Sequence, residues 1–78
     1  MIPKKERVLF TFHTTTDAMA VESLCKARNL NGRMIPVPGA ITADCGLAWC
    51  AEPRMEQTLL EAIETAGIAF QGVYHLMI

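Results

Sequence analysis

Long apolar runs are missing from this 78-residue chain, and the run Val8–Phe12 is too short for the core of a secretion signal. A membrane span and a cleaved leader are therefore not expected. Cationic residues are also few: seven Lys and Arg against eight Asp and Glu leave a formal net charge of −1. That balance gives no basic footprint for nucleic acid, and Lys4, Lys5 and Arg7 read as a solvated leading end. Cysteine is scarce and odd in number, three in all, which argues against a disulfide framework. Reduced thiols in a cytoplasmic protein are the expectation. Linkers, repeats and low-complexity tracts are absent too. What is present is a 51% hydrophobic content, high for so short a chain. One tightly packed domain over residues 1–78 is expected, with an apolar face left for a partner subunit.

The pattern of elements is legible in order. Val8–His13 is β-branched and aromatic, with Val8, Phe10 and Phe12 on one face, and predicts a first strand. Thr14 and Asp17 form a variant capping box. A helix follows, with Ala20, Val21, Leu24 and Ala27 as its apolar face and Asn31-Gly32 as its stop. Met34–Pro38 predicts a second strand, and its two prolines place it at a sheet edge. Leu47–Ala51, apolar throughout, predicts a central third strand. Pro53 suits the first turn of a second helix whose stripe is Met55, Leu59, Ala62, Ile63 and Ala66. Glu56, Glu61 and Glu64 read as its solvated face. Gly67 ends that helix, and Ile68–Ile78 is the last strand.

The order β-α-β-β-α-β predicts an α+β, ferredoxin-like fold: a four-stranded antiparallel sheet, spatial order 4-1-3-2, with both helices on one face. Strand two then falls at an edge, as its prolines require. The same topology sets His13, at the end of strand one, beside Gly46 at the start of strand three. The first helix opens at that edge, and strand two ends there. One shallow site is expected to gather His13, Thr14, Thr15, Thr16, Pro38, Gly39, Thr42, Cys45 and Gly46. Helix N-termini favour anions and thiolates, whereas the neighbouring Asp44 opposes a second negative charge. Cys50 lies roughly 16 Å along the strand at about 3.3 Å per residue. Cys25 lies about as far along the first helix at 1.5 Å per residue. Neither can reach Cys45 to form a bond or a shared metal site, and both read as small buried residues. His75 reads as a surface or packing residue.

Three segments carry a resemblance: Phe12-His13-Thr14-Thr15-Thr16-Asp17-Ala18 with Glu22, Met34-Ile35-Pro36-Val37-Pro38, and most specifically Thr42-Ala43-Asp44-Cys45-Gly46-Leu47-Ala48. Together they make the chain resemble a family of small bacterial proteins described as selenium/sulfur carrier-like. The resemblance runs over Val8 to Trp49 and implies that Cys45 takes the place of the family cysteine. Gly39 stands where that family commonly has an Arg, which removes a cation from beside an anionic sulfur species. The resemblance implies a carrier rather than an enzyme, needing no cofactor or metal. Cys45 would hold sulfur or selenium as a persulfide or selenosulfide between a donor and an acceptor protein. The rival reading is a non-catalytic module that binds a small molecule or regulates a partner and dimerises through its open sheet face. That face would carry Leu9, Thr11 and His13 of strand one, with Ala48 and Cys50 or Leu47 and Trp49 of strand three.

Overall fold

Alternation of large apolar residues with residues of the opposite face starts the fold. The computed structural model describes residues 4–78. Strand β1 (Glu6–Thr11) turns Val8 and Phe10 toward the helices, with Phe12 following in the same direction. Leu9 goes to the other side. Thr14 caps helix α1 (Thr15–Ala27) by accepting the Asp17 N–H at 3.1 Å, while its hydroxyl donates to the Asp17 carboxylate at 2.9 Å. The N-cap half of the expected capping box is thus formed, while the Asp17 carboxylate is met by the Thr14 hydroxyl instead of the Thr14 N–H.

The helix stops earlier than Asn31-Gly32. Asn29 takes the left-handed conformation (φ 55°), and the N–H groups of Asn29 and Leu30 bond back to the carbonyls of Lys26 and Cys25. This closure satisfies the last carbonyls, and Asn is the residue besides glycine that tolerates it. Leu30 then packs against the core. The inward face also differs from the expected one. Ala18, Val21 and Cys25 are buried, whereas Ala20 and Leu24 lie at the flank and Ala27 is exposed. The sheet below carries Phe10, Phe12 and Trp49, and small helix residues seat over large rings at close packing density.

Strand β2 (Arg33–Pro36) is followed by a loop, then by β3 (Leu47–Ala51). A 3-10 turn (Pro53–Met55) leads into α2 (Glu56–Thr65), which buries Leu59, Ala62 and Ile63 and leaves Ala66 exposed. Gly67 (φ 72°) ends it by the same closure, with Ile68 N–H reaching the Ile63 carbonyl. Strand β4 (Gly72–Met77) begins later than expected. Ile68 and Phe70 pack on the core first, Phe70 meeting Phe10 edge-to-face at 5.7 Å between centroids.

The sheet order is β2-β3-β1-β4, and each neighbouring pair is antiparallel. Both helices pack on one face, as the ferredoxin-like arrangement requires. Strand β2 is an edge. The opposite face, expected to be open, is not: the loop after β2 crosses it and seats Ile41 against Leu9, Ala48 and Cys50, with Ile35, Val37 and Leu76 around them. Leu9 and Ala48 are fully buried. An apolar sheet face next to water is unfavourable by about 25 cal/mol per Å², and one isoleucine from the chain's own loop removes that exposure. Leu9, Ala48 and Cys50 of the expected dimer surface are therefore covered from within, while Tyr74 on the same face stays exposed. No helix among the described residues is long and apolar enough to cross a membrane.

Candidate functional site

Cys45 sits where the loop rejoins the sheet. The register Thr11↔Ala48, carried forward, would bring Leu47 opposite Phe12. Instead the Cys45 N–H bonds the Phe12 carbonyl at 3.3 Å, and the chain steps outward over Gly46, whose φ is +77°. A side chain at that φ is strained, so glycine makes the step possible. Extra residues of this kind end a ladder and re-aim the side chain beside them. The Gly46 carbonyl is used as well, accepting the Val37 N–H at 2.9 Å.

Two side chains hold the turn from outside. His13 Nδ1 lies 3.0 Å from Asp44 Oδ2, and Gln71 Oε1 accepts the Asp44 N–H at 3.0 Å. The His13–Asp44 pair is exposed on both sides, so it contributes at most about 1 kcal/mol. Its geometric effect is larger: Asp44 faces an imidazole at the turn itself. Gln71, just before β4, had no motif to announce it. Its only sequence signal is a polar residue between Phe70 and the β4 glycine.

The Cys45 sulfur is half-buried and packs against the helix-side core. Leu47 lies within hydrogen-bond reach twice, its N–H donating to Sγ and its carbonyl facing Sγ, each at 3.4 Å. The contact pair serves either protonation state: a thiol donates to the carbonyl and a thiolate accepts from the N–H. The other two cysteines lie elsewhere. Cys25 is buried under α1, and burial pushes its thiol up to about 11. Cys50 is buried on the other face, in the cluster that includes Ile41. All three are free thiols.

Of the residues expected at one site, His13, Cys45 and Gly46 meet at this turn. Thr14 is engaged by its cap, and Asp17 in the first turn already supplies the negative charge that a helix N-terminus attracts. Thr15 and Thr16 are exposed in that first turn. The Pro38 carbonyl accepts the Ile41 N–H at 3.0 Å, so Pro38 and exposed Gly39 belong to the segment that folds over the helix-free face. Thr42 follows it, exposed. At the other end of the sheet, where α1 stops and β2 begins, an open groove of about 590 Å³ is lined by Lys26, Asn29, Arg33, Met34 and Trp49 among others.

Comparison with known proteins now has a geometry to meet. The family profile described as "Putative Se/S carrier protein-like" matches residues 7–75, most of the chain. The chain belongs to this family. The match takes in most of β1, the Cys45 turn and most of β4, so it covers every contact described at that turn. No curated protein and no solved structure matches the chain.

Proposed function

We propose that this member of the Se/S carrier-like family carries one sulfur or selenium atom on Cys45. The observation that supports the reading is the setting of that thiol within the family's matched span. It stands half-buried on a turn held by backbone and side-chain bonds, and Leu47 offers its sulfur both a donor and an acceptor. Loading is a transfer without net oxidation. The Cys45 thiolate attacks the outer sulfur of a donor persulfide, a new S–S bond forms, the donor's S–S bond breaks, and the donor leaves as a thiolate. Delivery reverses the roles: an acceptor nucleophile attacks the terminal atom and Cys45 leaves. Selenium would follow the same steps as a selenosulfide. The partners are a donor and an acceptor protein, and the chain itself needs no catalytic constellation.

Intact mass of protein purified without reductant tests this. One added sulfur or selenium, removed by reductant and absent from Cys45→Ser, is the expected result. A protein that takes up no chalcogen from an incubated persulfide donor would sink the reading. A binding module would then be favoured, its ligand in the groove between α1 and β2, whose volume falls in the range of small-molecule sites.

A further inference from the structure

The two edges of the sheet are built differently. Strand β2 carries Arg33 and Pro36, the kinds of residue that keep a strand edge from pairing. Strand β4, Gly-Val-Tyr-His-Leu-Met, has no proline and no Lys, Arg, Asp or Glu. Three of the four exposed large apolar residues among those described lie on it or directly after it: Tyr74, Met77 and Ile78. His75 is tied inward, facing Glu6 of β1 and Glu56 of α2, so the outer backbone is left clear.

The ladder shows which groups point outward. The Ile78 N–H bonds the Lys5 carbonyl at 2.9 Å, in the register that pairs Glu6 with Met77. Counting back by two, Leu76, Tyr74 and Gly72 also turn their backbone groups toward β1. Val73, His75 and Met77 therefore present three N–H and three C=O groups to the outside.

We infer that β4 is a self-pairing edge, and that two copies of this chain join antiparallel along it about a two-fold axis at His75. This register matches all of the outward groups. His75 of one copy bonds His75 of the other, and Val73 bonds Met77 in both directions, which uses every one of the three donors and three acceptors on each copy. Tyr74 then lies across from Leu76 on the helix-free face, and Val73 across from Met77 on the helix face, so apolar residues meet apolar residues. A shift of two residues either way leaves donors unpaired. Two four-stranded sheets become one continuous sheet. A six-residue edge covers less than the roughly 800 Å² per partner of a standard interface, so the dimer dissociates on dilution. The two Cys45 turns lie at opposite ends of the paired strands, and the inference does not depend on what Cys45 carries.

Sedimentation velocity and amide exchange on the full chain, at low-micromolar and submillimolar concentration, test it. The expected result is a concentration-dependent dimer in which the amides of Val73, His75 and Met77 gain protection. Those of Tyr74 and Leu76 should be protected at both concentrations. Met77→Pro removes an outward N–H without touching the β1 ladder, and His75→Lys sets two ammonium groups opposite each other. Each should weaken association at least about tenfold with the far-ultraviolet spectrum retained. A monomer throughout would overturn the inference. So would a dimer in which those three amides stay fast, or an edge protected only when another protein is added.

Discussion

Strand β3 meets two environments within five residues. At its entry, Cys45 stands half-buried on a turn whose polar groups reach water, held by Phe12 and His13 of the β1–α1 connection and by Gln71 just before β4. Near its other end Cys50 is buried in the cluster that includes Ile41, a residue delivered by the loop that precedes the strand. Cys45 stands on the turn before β3 and packs on the helix side, whereas Cys50 lies within the strand on the other face. What the chain lays over each differs as well, so the loop contributes to access.

The largest expected effect follows directly. Alkylation at neutral pH should label Cys45 roughly a thousandfold faster than Cys25 or Cys50, because the latter two need local opening of the core. Peptide mass mapping over time reads this, and similar rates for all three would erase the distinction.

Ile41→Ala sharpens the comparison by removing the cover. A cavity over Leu9 and Cys50 should cost about 2–4 kcal/mol in urea unfolding, and Cys50 labelling should rise toward the rate of Cys45. Stability lost without faster Cys50 labelling would mean that the loop does not control access.

Cys25 offers a smaller, pH-dependent effect. Its folded thiol holds its proton up to about 11 against an ordinary value of 9.0, so above pH 9 the unfolded chain binds fewer protons than the folded one. That contribution is fully present below about pH 9 and is lost as the pH rises to about 11. Urea midpoints for the native chain should fall more steeply across this window than those for Cys25→Ala. Parallel curves would remove the effect of burial.

The smallest change in stability belongs to the exposed pair. His13→Ala should cost less than about 1 kcal/mol, yet alter the rate of Cys45 labelling severalfold by freeing Asp44 beside it. An unaltered rate would leave His13 as a surface residue with no hold on the turn.

Much of this architecture was legible because it depends on local periodicity. Alternation in Val8–Phe12, the Thr14–Asp17 cap and the prolines around Val37 led to the element order and to β2 at an edge, and the sheet has that order. Adjacency of His13 to the Cys45 turn followed from topology alone, and the pair His13–Asp44 meets there. The phase of the first helix is not legible, because small residues such as Ala18 and Cys25 carry a weak hydrophobic signal, yet they are what fits over Phe10 and Phe12. Its end comes earlier than Gly32 because Asn29 takes the left-handed conformation that closes it.

Sequence by itself determined the strands, the helices, their order and the cysteine at a strand entrance, since each rests on residues within a few positions of one another. Tertiary structure decided the rest: that Ile41 closes the second sheet face, that Gln71 reaches the Asp44 backbone, and that β4 is left as the unguarded edge. These depend on where a loop of irregular backbone comes to lie, and no periodic pattern encodes that. Contacts between residues far apart in the chain form only once the sheet has brought their backbones together.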